Sequence, residues 1–282
     1  MLKVDGHTRQ LGIIGDPVEH SFSPAMHNFI SELTGSNYIY SAWRVTDVEN
    51  AINGVRALGI RGINVTAPHK VKVMRYLDEI DEKARLLGSV NTVVNTDGYL
   101  KGYNTDADGF YMSLIRNGIE IRDKNILIIG AGGVTEPAVI RFSYEDPASV
   151  TVINRTHGRT LALAERVYEK TGFKIETEAG ADSYDVIINT TSAGMAPQLD
   201  VLPTDAIDGV DVLSLINENT AAVDMIYNPE ETLFLREAKH RGAKTMNGLG
   251  MLIYQGIIAY ELFTDTKLSD DIYDRIREEV FG

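Results

Sequence analysis

The chain contains no cysteine. Disulfides, thiolate metal sites and a cysteine nucleophile are therefore excluded. Its six histidines, His7, His20, His27, His69, His157 and His240, are scattered, and no pair has the spacing of a helical metal site, so no metal is expected. No apolar run is long enough to cross a bilayer and no basic-then-apolar leader is visible, so the expectation is a cytoplasmic protein with no membrane partner. Positive charge is scarce: 27 Lys and Arg stand against 40 Asp and Glu, a formal charge of −13 with no basic run. Such a surface repels nucleic acid, and none is expected as a partner. An anionic ligand must instead be met by a few local donors.

What is present fits a soluble globular protein: 282 residues, 44% hydrophobic and 24% charged, long enough for two domains. Many of the glycines follow short β-branched runs, as in GIIGDP and ILIIGAGG, which suits strands ending in tight turns. The first third alternates. A strand at Leu11–Ile14 leads to a helix at Pro24–Leu33, then a strand at Tyr38–Val45. Thr46 to Glu49 has the form of a capping box, opening a helix with Ala51, Ile52, Val55 and Leu58 on one face. A strand at Ile60–Val65 follows, and this repetition implies a largely parallel sheet. Residues 93–95 and 99–101 flank Thr96-Asp97-Gly98 as a hairpin. A helix from Ala107 to Asn117 is the candidate bridge to a second unit. That unit has strands at 125–129, 149–153, 185–189 and 221–226 and helices near 158–170 and 231–241, a doubly wound α/β pattern. The last 35 residues read as helices, 248–263 and 270–281, that return to the first domain.

ILIIGAGGVT is a strand, a glycine turn and the start of a helix. Glycines admit the backbone to a phosphate, and helix-start amides point at the anion. The third small position is Thr135, and a tight turn in any α/β domain is the plainer alternative. The tip of the next strand reads VINRTHGR. A carboxylate there would bond the ribose hydroxyls of NAD. Asn154, Arg155, Thr156 and Arg159 stand instead, and the planar forks of two guanidiniums match the 2′-phosphate of NADP, with a solvated basic turn as the alternative. Glu136 and Pro137 follow the glycines; proline is harmless in a first helical turn, but a carboxylate so close repels a pyrophosphate unless it turns away.

In GINVTAPHK a lone lysine, Lys70, stands just beyond the end of a strand, in a loop stiffened by Pro68. Hydride addition to a ketone leaves an alkoxide that needs a proton; an ammonium can donate it, and a carboxylate can hold the ammonium. Asp106, at the start of the bridge helix, is the candidate partner, or else a simple N-cap. Ser21 and Ser23, just before a helix, offer two hydroxyls to a carboxylate or cap that helix. Asn64, Thr66 and Asn91 add polar groups at strand ends. Gln255 shares a helix face with Met251, Leu252, Ile258, Ala259 and Leu262, and a glutamine on an apolar face needs a partner, ligand or backbone.

Taken together these pieces resemble the shikimate dehydrogenase family over nearly the whole chain. HSFSPAMHN is similar to its serine motif, NVTAPHK to its lysine loop, and GSVNTV and NTDADG to its asparagine and aspartate motifs. GAGG with NRT, INTTSAGM, DMIYNP and NGLGMLIYQG follow in family order. The resemblance implies an N-terminal α/β substrate domain, 1–106 with 248–282, and a Rossmann-type NADP-binding domain, 107–247. It implies an NADP-dependent oxidoreductase that reversibly reduces 3-dehydroshikimate to shikimate in aromatic biosynthesis, as a monomer or homodimer. Carried over, Lys70 and Asp106 are the acid–base pair and also touch substrate, while Ser21, Ser23, Thr66, Asn91, Tyr227 and Gln255 hold its carboxylate and hydroxyls. Gly130, Ala131, Gly132, Gly133, Asn154, Arg155, Thr156 and Arg159 hold NADP(H); Met225 and Gly248 lie near the nicotinamide, with Glu82 in contact with that region. Family members usually follow GAGG with two small residues and a basic one. Val134, Thr135, Glu136 and Pro137 here imply a raised Michaelis constant for NADPH, and tighter binding by Glu136→Lys. The alternatives are an enzyme that accepts quinate or NAD, and a non-catalytic NADP-binding relative, in which a proton-transfer pair would have no use.

Overall fold

Strand β1 (Arg9–Gly15) opens the first part of the chain. It is followed by α1 (Ser23–Thr34), β2 (Tyr38–Arg44), α2 (Val48–Ala57), β3 (Gly62–Val65), β4 (Glu79–Ile80), α3 (Glu82–Leu87), β5 (Thr92–Thr96) and β6 (Tyr99–Tyr103). The computed structural model describes residues 4–180 and 183–282. The chain divides into two units, Met1–Gly109 with Ile253–Gly282, and Phe110–Leu252.

The first unit has a six-stranded sheet in the order β2-β1-β3-β5-β6-β4. The expected parallel pairing holds for β2, β1 and β3; β5 runs antiparallel to both β3 and β6, and β4 runs parallel to β6, so the sheet is mixed. The hairpin forms because Asp97 and Gly98 both adopt positive φ, 52° and 91°, the two-residue turn whose twist matches the strands. Helix α2 starts one residue later than the capping-box reading: Asp47, not Thr46, is the N-cap, accepting the Asn50 amide at 3.1 Å. Leu58 leaves the apolar face as well, because the helix ends at Ala57 and Leu58 is 76% exposed.

Helix α4 (Asp106–Arg116) carries the chain into the second unit. There β7 (Asn125–Ile129), α5 (Thr135–Phe142), β8 (Ser149–Ile153), α6 (His157–Thr171), β9 (Val186–Asn189), β10 (Ala221–Asp224), α7 (Leu233–His240) and β11 (Lys244–Met246) follow. The five strands are ordered β11-β10-β9-β7-β8 and every pairing is parallel. A fully parallel sheet is covered on both faces, which is why β7 and β9 are near-continuous apolar runs. Leu127, Ile129, Ile187, Ala222, Phe234 and Leu235 share one core cluster under it.

Helix α8 (Leu249–Thr264) leads back to the first unit, where α9 (Ile272–Phe281) lies on α1. The buried side of α8 is Ile253, Ile257, Ala259, Tyr260 and Phe263. Of the face expected from spacing around Gln255, Ala259 is buried, while Met251, Leu252, Ile258 and Leu262 are half-buried. A helix apolar on every side gives periodicity nothing to discriminate. Among the described residues, no helix is long and apolar enough to cross a membrane.

Candidate active site

In the first unit the lysine loop is tied at both ends. Thr66 donates its amide to Ile14 O at 2.9 Å, and Val90 donates its amide to Lys70 O at 2.9 Å. Between them His69 is buried and its Nε2 lies 2.6 Å from Val45 O. A loop anchored in this way presents the Lys70 side chain from a fixed base. Its Nζ donates to Asp106 Oδ2 at 2.7 Å, with the two side chains 33% and 19% exposed. The Asn91 side-chain amide donates to the other oxygen, Oδ1, at 2.8 Å. Asp106 is therefore not the helix cap. The first helical bond runs from Gly109 N to Thr105 O, and the Asp106 amide is held by Asn104 Oδ1 at 3.0 Å, so its carboxylate is left for the ammonium.

The other expected substrate groups of this unit sit on neighbouring elements. Ser21 Oγ accepts the amide of Ser23 at 3.2 Å, and Ser23, the first residue of α1, is 5% exposed. The N-cap of α1 is Phe22, with no side-chain capping bond, so neither serine is the cap residue. Thr66 packs its methyl where a Cβ on Gly15 would lie, at 2.3 Å. Gln255 belongs to the turn of α8 that touches α4: a Cβ on Gly109 would fall 2.7 Å from the Gln255 backbone nitrogen. That contact is one turn along the helix from Asp106. Glu82 opens α3 and is exposed.

The second unit carries a cavity of about 340 Å³. Gly130, Ala131, Gly132, Asn154, Arg155, Thr156 and Arg159 are among the residues that line it. Gly130 takes φ of 114°, and any Cβ there would meet Thr190 Oγ1 at 2.5 Å; a Cβ on Gly132 or Gly133 would meet nothing within 4 Å. The glycine turn is thus tight on its inner side and open outward, the shape that admits a phosphate to backbone amides. Two guanidiniums at the same cavity suit a further phosphate, so the residues present fit NADP. Gly133 is not among the lining residues. Thr135 is buried and serves the turn itself: its hydroxyl donates to Gly130 O at 3.0 Å and lies 2.9 Å from Thr190 Oγ1.

Sequence reading assigned no role to Thr190, Thr191, Ser192, Gln198, Leu202 and Ile207, which also line the cavity. The signal was the INTTSAGM motif, which lies at the carboxyl end of β9, where ligands of parallel sheets bind. Met225 and Gly248 come together, a Cβ on Gly248 falling 2.1 Å from Met225 O; neither lines the cavity, and nor does Tyr227, which follows β10 and is 37% exposed.

Glu136 does turn away from the glycine turn. Its carboxylate accepts from Arg166 Nε at 2.8 Å and Lys170 Nζ at 2.7 Å, both on α6. The expected repulsion of a pyrophosphate, and with it the reason for a raised Michaelis constant, falls away.

Three family models match the chain in order. The shikimate dehydrogenase substrate binding domain matches residues 13–93, shikimate/quinate 5-dehydrogenase matches 113–198, and the shikimate 5′-dehydrogenase C-terminal domain matches 248–280. A Methanocaldococcus jannaschii protein named shikimate dehydrogenase (NADP(+)) is 43% identical over 270 residues, 93% of each chain. One of the same name from Caldanaerobacter subterraneus is 40% identical, over 99% of this chain and 100% of that one. A crystal structure of a shikimate dehydrogenase in complex with NADP+ superposes with a TM-score of 0.89 at 40% identity, covering 99% of this chain and 98% of the other. The Listeria monocytogenes enzyme in complex with shikimate and NAD gives 0.86 at 30% identity, over 98% of both chains. With the lysine–aspartate contact in one unit, the glycine-and-arginine cavity in the other, and full-length relatives at this identity, the chain belongs to the shikimate dehydrogenase family.

Proposed function

We propose that this protein catalyses the NADP-dependent, reversible reduction of 3-dehydroshikimate to shikimate. The observation that carries the reading is the 2.7 Å contact between Lys70 Nζ and Asp106 Oδ2. When bound, NADPH supplies the hydride. Lys70 supplies the proton that the nascent alkoxide requires, and takes it back in the oxidative direction. Asp106 holds the ammonium in place, and Asn91 holds Asp106.

The first unit is the proposed substrate domain, with Ser21, Ser23, Thr66, Asn91 and Gln255 as ligands, and Tyr227 is a further proposed substrate ligand. The second unit is the proposed NADP domain. There the amides of residues 130–132 would hold the pyrophosphate, and Gly133 beside them is proposed to open the turn toward it. Asn154, Arg155, Thr156 and Arg159 serve the adenosine end, where Arg155 and Arg159 and the lack of a carboxylate favour the 2′-phosphate. Met225, Gly248 and Glu82 are proposed for the nicotinamide end.

The test is the initial rate of NADP reduction with shikimate, set against quinate and against NAD. Shikimate with NADP is expected to be fastest. Lys70→Ala is expected to lose turnover by about two to four decades while still binding shikimate. Unchanged turnover in that variant removes Lys70 from the mechanism.

A further inference from the structure

Asp106 is the end point of a buried chain of hydrogen bonds whose direction two backbone groups determine. Asn91 Oδ1 faces the amide of Thr105 at 2.9 Å. An amide N–H only donates, so that atom is the oxygen, and Nδ2 is the one that reaches Asp106 Oδ1. Asn64 Nδ2 faces the carbonyl of Asn91 at 3.2 Å. A carbonyl only accepts, so the nitrogen is fixed there, and the Asn64 oxygen accepts from the Tyr40 hydroxyl at 2.7 Å. Thr92 stands between the two amides. Its hydroxyl accepts from Asn64 Nδ2 at 3.0 Å and therefore gives its one proton to Asn91 Oδ1 at 2.9 Å.

Every donor from Tyr40 through Asn64, Thr92 and Asn91 thus points toward Asp106, which in turn holds Lys70. None of these four side chains belongs to a residue more than 5% exposed. Hydrogen bonds that run one way in a dry interior polarise and orient one another. The far end is held as well: the Tyr40 ring stacks on His27 at 4.2 Å with a 2° interplanar angle. Burial raises the phenol's pKa well above its ordinary value, against a hydrogen bond from Ser23 that lowers it, so the Tyr40 donor keeps its proton.

The geometry points to Tyr40 and Thr92 as positioning residues: they set the Asn64 and Asn91 amides, and through them hold Asp106 and Lys70 in register for proton transfer. This rests on the reading of Lys70 and Asp106 as the acid–base pair. Thr92→Val keeps the shape of the side chain and removes the hydroxyl in the middle of the chain. It is expected to lower kcat for shikimate oxidation roughly tenfold, the scale of a modest loss of alignment. KM for NADP is expected to stay at the parent value, and Thr92→Ser to restore most of kcat. Tyr40→Phe, which deletes only the terminal hydroxyl, is expected to lower kcat in the same sense by a smaller factor, and it decides the matter if Thr92→Val does not fold.

Parent turnover in Thr92→Val, or in Tyr40→Phe where that variant must stand in, overturns the inference. So does a loss that Thr92→Ser fails to rescue, because the threonine then acts by packing. Lys70→Ala in the same assay separates the two readings. If it loses turnover while Thr92→Val does not, the relay alone falls; if it turns over normally, the acid–base pair falls and takes the relay with it.

Discussion

Lys170 Nζ lies 2.7 Å from Glu136 Oε1, joining the last turns of α6 to the first turn of α5. With Arg166 on the other oxygen, the acid that looked hostile to a cofactor is a clamp between two helices. Burial opposes its charge, but the hydrogen bonds from Lys170 and Arg166 outweigh burial and hold its pKa below the ordinary 4.5. The clamp therefore contributes stability above that ordinary value, and loses it as pH falls through the lower folded one. Glu136→Lys would set a third cation against two. It is expected to cost about 1–2 kcal/mol, between an exposed and a buried pair. Cofactor affinity is expected to stay near the parent value. Thermal denaturation and a cofactor titration of the pure protein read both quantities, and tighter cofactor binding by the variant would contradict the clamp.

Arg155 and Arg159 are expected to set the choice between NADPH and NADH. Both line the cavity beside Asn154 and Thr156, and among the described residues no carboxylate lines it. A hydrogen bond to a charged group is worth about 1.5–3 kcal/mol, so Arg155→Ala is expected to raise KM for NADPH by roughly one to two decades. KM for NADH is expected to change little, because the group that the arginine serves is missing from it. Equal losses with the two cofactors would show that Arg155 supports the loop and not the phosphate.

How far these features could be read from sequence depends on the reach of the interaction. Strands β7 and β8 have the expected bounds because short β-branched runs end in polar or glycine turns. The Lys70 and Asp106 loops are legible because each is a motif placed at an element's end. By contrast, β4 has two residues and β11 three, too few to show alternation, and both pair only through their neighbours. The partners of Glu136 lie 30 and 34 positions away on another helix, beyond any local pattern. The Tyr40–Asn64–Thr92 chain crosses three strands and is visible only once their register is known.

Gly109 is where helix α4 meets the backbone of α8. In an exposed helix alanine is favoured over glycine by about 1 kcal/mol. Here an added Cβ would lie 2.7 Å from the Gln255 nitrogen and 3.0 Å from its Cα, and backbone does not yield as a side chain does. Overpacking of this kind costs about 1–3 kcal/mol, so Gly109→Ala is expected to be net destabilising despite its helix propensity. The contact is one turn from Asp106, so kcat is expected to fall as well. Unfolding curves and turnover measured side by side test both; a variant more stable than the parent would mean that the helices separate without strain.

His27 gives the fold an acid sensitivity of its own. It is fully buried against Tyr40, Tyr260 and Phe263, and neither ring nitrogen has a hydrogen-bond partner among the described residues. Burial depresses its pKa to about 3, from an ordinary 6.5. Between those values the unfolded chain binds a proton that the folded one refuses, so stability falls as pH falls, by up to about 1.4 kcal/mol per pH unit. The paired carboxylates Glu136, Glu145 and Asp78 have pKa values lowered from 4.5, 4.5 and 3.8, so their losses begin only further down. Burial raises the Asp224 carboxyl above its ordinary 3.8, which acts in the opposite sense, so over the interval from 6.5 to 4.5 the difference between parent and a His27 variant is what isolates the histidine. His27→Phe keeps a ring on Tyr40 and removes two unsatisfied polar atoms. It is expected to gain about 1–2 kcal/mol at neutral pH and to flatten the slope over that interval. Thermal midpoints of parent and variant across the interval measure the difference; two parallel slopes would place the acid sensitivity elsewhere.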